Sequence, residues 1–155
     1  MVSDLPCRLH ESMRSPAKMS VDELHRFLAI HFPQVSDSIH IEELGNGFGK
    51  IRYRVGGQNL RPGGTVAGPT MFLLADVSIY VLVLAAIGPR ELAVTTNCSI
   101  DFMRRPAPDD LLAHARLLKL GRRLAVGDVL IYSAGMAEPV ARAGVTYSIP
   151  VDTTR

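Results

Sequence analysis

Gly63-Gly64-Thr65-Val66-Ala67-Gly68-Pro69-Thr70 leads without a break into Met71-Phe72-Leu73-Leu74-Ala75-Asp76-Val77-Ser78-Ile79-Tyr80-Val81-Leu82-Val83-Leu84-Ala85-Ala86-Ile87, and Gly88-Pro89 follows. The reading of this stretch decides the fold. Proline suits the first turn of a helix, where the amide it lacks would have no partner. Glycine suits the position after the last turn, and a proline beyond it cannot continue the helix. The stretch therefore predicts a helix from about Pro69 to Ile87. It is apolar on nearly every face, and such a helix must be buried. It approaches the roughly 20 residues needed to cross a bilayer. Against that reading stands Asp76 at its centre, which costs roughly 2.5–3.5 kcal/mol on insertion scales. A soluble core helix is the simpler expectation. An unpaired charge in low dielectric is costly, so a buried carboxylate is either paired or functional. Ser78, Tyr80 or a neighbouring backbone group would be its structural partners; otherwise Asp76 is a site candidate.

Working outward, a chain of 155 residues suffices for one core. Apolar residues make up 47% and charged residues 21%, an ordinary globular balance. The net charge of +2 is too small, and too evenly spread, for a nucleic-acid partner. Cys7 and Cys98 lie far apart in unlike contexts, which excludes a disulfide framework and a metal site and suits a reducing cytoplasm. The N-terminal stretch lacks the apolar core of a signal peptide. The expectations are a cytoplasmic protein with no cofactor, no metal, no membrane and no nucleic acid.

Residues 1–19 read as a loose arm or short helix. Ser20-Val21-Asp22-Glu23 forms a capping box, and Leu24, Phe27, Leu28 and His31 follow at helical spacing, so a helix ends near His31, before Pro33. Residues 1–37 thus form an arm and capping helix, and residues 38–155 one domain. Ser38 to Leu44 reads as a strand with Ile39, Ile41 and Glu43 on one face. Gly45-Asn46-Gly47 turns it into Phe48 to Val55, where apolar and basic residues alternate. Residues 56–62 are the loop before the long helix. Beyond that helix come four strand-like runs: Leu92 to Met103, Asp109 to Leu120, Leu124 to Ala134 and Val140 to Ile149, separated by proline and glycine turns. Leu111 to Leu120 has helical propensity, but its bracketing turns favour a strand. The predicted class is α+β: a curved antiparallel sheet of about six strands wrapped around one long central helix, because a flat sheet cannot hide a helix that is apolar all round.

From Ile39 to Ile149 this pattern resembles the hotdog fold, and specifically the phenylacetate-type (PaaI-like) acyl-coenzyme A thioesterases. That family carries an asparagine, six residues later His-Gly-Gly, and then Thr-Leu-x-Asp in the central helix. The matching positions here are Arg61, Ala67-Gly68-Pro69 and Leu73-Leu74-Ala75-Asp76. The Val94-Thr95 strand running to Phe102, the Gly121-Arg122 turn and the strand beginning Val140-Ala141-Arg142-Ala143 follow in the family's order. The departures are Arg61 for the asparagine, Ala67 for the histidine and Pro69 for the second glycine. Asp76, Gly68 and Thr95 remain.

The resemblance implies hydrolysis of a small or medium acyl-CoA, with Asp76 as base or nucleophile, Gly68 as oxyanion donor and Thr95 as the residue orienting the water or Asp76. Thr95 is equally an ordinary strand residue. The expected substrate contacts are Arg61, Ala67, Thr70, Arg104, Gly121 and Arg122. The amides of Gly68 and Thr70 at the helix start would face the thioester carbonyl. Arg61 would pair with Asp76 or the carbonyl, unless it is a surface arginine, and Arg104 and Arg122 would hold the phosphates. Gly68 and Asp76 are roughly 12 Å apart along one helix and cannot both touch one carbonyl. A working site then needs a homodimer, as in the family, where dimers also pair into homotetramers. The alternative is an acyl-CoA or lipid-binding hotdog without hydrolysis. A dehydratase or hydratase is a third reading, disfavoured because no histidine is suitably placed.

Overall fold

The computed structural model describes residues 16–151, so the expectation for the first 15 residues falls outside it. The capping box forms: the Ser20 hydroxyl accepts from the Glu23 amide at 3.2 Å and the Glu23 carboxylate accepts from the Ser20 amide at 2.8 Å. It opens helix α1 (Val21–His31), which buries Leu24, Phe27 and Leu28. A single extra turn, α2 (Pro33–Ser36), leads to strand β1 (Ile39–Gly45) and its antiparallel partner β2 (Phe48–Tyr53). Glu43 does not share the inner face with Ile39 and Ile41. A bulge between Ile41 and Glu43 shifts the register, so that Glu42 and Glu43 both face solvent.

The segment before the long helix is more ordered than a loop. A 3-10 turn at Gly57–Asn59 runs into a small ribbon of β3 (Leu60–Arg61) and β4 (Thr65–Val66), closed by Gly63 and Gly64, both at positive φ. Helix α3 (Gly68–Ile87) then begins one residue earlier than expected and ends at Gly88, where φ is +94°. The four remaining strands are β5 (Val94–Phe102), β6 (Leu111–Leu120), β7 (Leu124–Ser133) and β8 (Ala141–Ser148).

All six long strands form one antiparallel sheet in the order β1-β2-β6-β7-β8-β5. Helix α3 packs against β2, β5, β6, β7 and β8, which requires the sheet to curl around it. The inner positions alternate as expected: Leu111, Ala113, Ala115 and Leu117 of β6 are buried. Where α3 crosses β7 the approach is so close that a Cβ on Gly127 would lie 2.4 Å from Cδ1 of Ile79. The helix is long and apolar enough to span a membrane, yet it is mostly buried inside this fold as the core helix. α1 covers part of its remaining side, with Phe27 edge-on to Tyr80.

One stripe of α3 stays open. Pro69, Leu73 and Asp76, spaced three or four residues apart, and the neighbouring Phe72 remain wholly or partly exposed. The stripe borders β5, which pairs with β8 on one side and forms an edge of the sheet on the other.

Candidate active site

Asp76 sits in the third turn of α3, beside the start of β5. Its carboxylate Oδ1 accepts a short hydrogen bond from the Thr95 hydroxyl and a second, of 2.8 Å, from the Tyr147 phenol. Tyr147 also lies 3.1 Å from the Asp76 carbonyl oxygen. Thr95 and Tyr147 are direct cross-strand partners in the β5–β8 pair, so both hydroxyls project from one face of the sheet toward the helix. Ser78 and Tyr80, the structural partners expected for Asp76, are engaged elsewhere. The Ser78 hydroxyl donates back to the Leu74 carbonyl at 2.6 Å, and the Tyr80 phenol to the Glu91 carbonyl at 3.2 Å.

A cavity of about 380 Å³ opens at the carboxylate. Val77 and Tyr80 of α3, Val94 and Thr95 of β5, and His31 and Phe32 at the end of α1 wall it. Tyr80 stacks on Tyr147 with ring centroids 5.7 Å apart. Burial, followed by the charge of Asp76, pushes the Tyr147 phenol far above its ordinary value, so it stays a proton donor. Burial also raises the Cys98 thiol, with Asp76 adding to the effect, and this keeps the neighbouring sulfur protonated.

The expected site residues fall into three groups. Asp76 and Thr95 meet directly. Gly68, Ala67, Thr70, Arg61 and Arg104 gather at the start of α3, around or beside a second cavity of about 420 Å³ lined by Arg61, Gly68, Met71, Phe102, Arg104 and Arg105. Ala67 is the cap residue of α3 and supplies no side-chain hydrogen bond. The Thr70 amide donates to the Ala67 carbonyl at 3.1 Å, so it does not face outward as expected; with Pro69 lacking an amide, Gly68 holds the forward-pointing donor. Arg61 is exposed on β3 and does not reach Asp76, because the ribbon carries it to the opposite end of the helix's open stripe. Arg104 is tied to Glu138 at 2.9 Å and to the Pro139 carbonyl at 2.9 Å. The third group, Gly121 and Arg122, lies at the far end of α3. There Lys18, Arg90, Arg122 and Arg123 surround a cavity of about 500 Å³ beside Ile87.

Two residues were missed by the sequence reading. Tyr147 left no signal beyond its inward position on the last strand. Asn59 did leave one: it stands eight residues before Ala67, so the β3–β4 ribbon moves it two positions from where the six-residue spacing looked. Its side-chain nitrogen lies 3.1 Å from the Tyr53 hydroxyl and 3.5 Å from the Thr70 hydroxyl, and its backbone carbonyl accepts from the Ala67 amide at 2.8 Å. Asn59 thereby fixes the entry into α3.

The thioesterase-superfamily sequence profile matches residues 63–140, the span from the ribbon through α3 and β5 to β7. No functionally curated protein matches the sequence. Among solved structures, a candidate thioesterase from Silicibacter sp. TM1040 is 54% identical, with 90% of this chain and 96% of that one aligned and a TM-score of 0.83. Zebra fish thioesterase superfamily member 2 superposes with a TM-score of 0.75 at 20% identity, over 86% of this chain and all of the other. The phenylacetic acid degradation protein PaaI of Thermus thermophilus, in a mutant form, gives 0.65 at 24% identity, over 76% of this chain and 99% of that one. The last two likenesses establish the hotdog fold, and the first carries the relationship through sequence as well. With a profile spanning half its length and a relative more than half identical, this chain belongs to the thioesterase superfamily.

Proposed function

We propose that the protein hydrolyses the thioester of a small or medium acyl-CoA at a site shared by two copies of the chain. The observation that carries this reading is the placement of two complementary half-sites along one free sheet edge. Asp76, held by Thr95, stands at the start of β5. The start of α3 stands at the other end of the same strand, where Gly68 approaches the Phe102 ring so closely that an added Cβ would lie 3.2 Å from it. If two β5 edges pair antiparallel about a two-fold axis, the Thr95 end of one copy meets the Phe102 end of the other. The carboxylate of one subunit then faces the Gly68 amide of its partner.

In that arrangement Asp76 takes a proton from water as the water oxygen attacks the thioester carbonyl. The Gly68 amide and the positive end of the α3 dipole stabilise the oxyanion. Collapse breaks the carbon–sulfur bond, and the thiolate leaves and is protonated. The cavity of about 380 Å³ beside Asp76 receives the acyl group. The basic cluster around Arg122 lines a cavity beside Ile87, which is roughly 16 Å beyond Asp76 along α3, and it suits the phosphates of CoA.

The test is thiol release from a panel of acyl-CoAs by the purified protein. Asp76→Asn keeps the shape and removes the base, and is expected to lower kcat on the order of 10²–10³-fold. Unchanged turnover would remove Asp76 from the mechanism. Ala67, which offers no side-chain donor at the helix start, favours a second reading in which the fold binds acyl-CoA without cleaving it. Tight binding with no thiol released selects that reading.

A further inference from the structure

We infer that Tyr147 is the positioning residue that holds Asp76 by Oδ1 and leaves Oδ2 as the oxygen that meets the substrate. The inference rests on the thioesterase reading of this site and adds a residue and an atom to it. Among the described residues, the hydrogen bonds to the carboxylate both end on Oδ1, from Thr95 and from Tyr147. Tyr147 comes from β8, an inner strand, and Thr95 from β5 beside it, so the carboxylate is held from two strands at once.

Three features make Tyr147 a fixed donor. It is 4% exposed, its ring stacks on Tyr80, and its hydroxyl lies within reach of both Oδ1 and the backbone oxygen of the same aspartate. The one hydroxyl proton goes to a single oxygen at a time, with the shorter contact to Oδ1, and either bond ties Tyr147 to the turn of α3 that carries Asp76. The other titratable groups around the carboxylate or its cavity are Cys98 on β5, Tyr80 on α3, Glu91 ahead of β5 and His31 at the end of α1. Burial keeps both Cys98 and Tyr80 in their neutral forms.

The Tyr147 hydroxyl donates to Oδ1, so deleting it leaves the carboxylate freer to turn and changes the surroundings of its carboxyl carbon. Tyr147→Phe retains the ring and its stacking and deletes only the hydroxyl. The expected result is a kcat about tenfold lower with KM unchanged. Thr95→Val removes the other hydroxyl on Oδ1 and is likewise expected to lower kcat with KM unchanged. Independently of turnover, the Asp76 carboxyl resonance in a ¹³C-aspartate spectrum, assigned by its loss in Asp76→Asn, is expected to move in Tyr147→Phe, which removes the hydroxyl bonded to Oδ1. An unmoved resonance in Tyr147→Phe overturns the inference even if the protein is a thioesterase. A protein that releases no thiol defeats the hydrolytic reading, while the Asp76 resonance still decides the role of Tyr147.

Discussion

Asp76 places a carboxylate on a helix that is otherwise apolar on nearly all sides, and its surroundings explain how the fold tolerates it. Two hydroxyls replace part of its hydration, and a cavity leaves its outer side open. In the proposed reading the same cavity limits the acyl group that can be processed. Phe32, at the junction of α1 and α2, forms part of its wall and is only partly buried, so trimming it leaves the core intact. Phe32→Ala is expected to move the preferred acyl group toward longer chains, with about a tenfold change in relative kcat/KM between short and longer acyl-CoAs. An unchanged chain-length profile would show that the acyl group lies elsewhere. Asp76 was legible as a site candidate because a lone carboxylate in an apolar helix is physically anomalous. Thr95 was legible through the pattern around it. Tyr147 was not, because an inward tyrosine on a strand looks like core packing until the cross-strand register puts it beside Thr95.

At the level of elements, the long helix, the hairpin and the four later strands could be read from glycine and proline punctuation and from alternation. The bulge in β1 and the β3–β4 ribbon could not, since both depend on register rather than on residue type. The ribbon is the costlier omission, because it hid Asn59 by lengthening the approach to α3. Helix α1 carries its own prediction. The His25 ring nitrogen Nε2 accepts from the Ile41 amide at 3.1 Å, tying α1 to β1, and its ring stacks on His40 at 5.5 Å. Burial, and then the neighbouring His40, lower the His25 value from its ordinary 6.5. The folded state therefore binds the proton less readily than the unfolded chain. Stability is fully present above pH 6.5 and is lost as pH falls below that value toward the depressed folded one. The thermal midpoint is expected to drop between about pH 7 and 5, more steeply in the wild type than in His25→Gln. Equal slopes for the two proteins would remove His25 as the cause. The effect is modest, since the ring is only partly screened from water.

For the whole molecule, the decisive matter is whether one copy of the chain contains a working site. Within a single copy the helix start and Asp76 are separated by two turns of α3, and Arg61 stands with the former rather than the latter. The open stripe of α3, including Phe72 at 41% exposure, borders the edge strand β5, where Val94 and Phe102, each 54% exposed, flank the exposed polar residues Thr96, Asn97, Ser99 and Asp101. An edge strand so exposed invites pairing, and pairing with a second copy satisfies its amides without exposing a new edge there. Phe72→Glu sits on that border and is solvent-accessible in the single chain, so it is expected to yield a folded, inactive monomer by light scattering. The sharper experiment is complementation. Asp76→Asn lacks the base, and Gly68→Val obstructs the helix start by driving its side chain into Phe102. Each is expected to be inactive alone. When the two are unfolded together and refolded, about half of the dimers are mixed, and each mixed dimer has one site with both defects and one with neither. About a quarter of wild-type activity should therefore return. A site assembled within one chain would recover nothing on mixing, because every copy would still carry one of the two lesions.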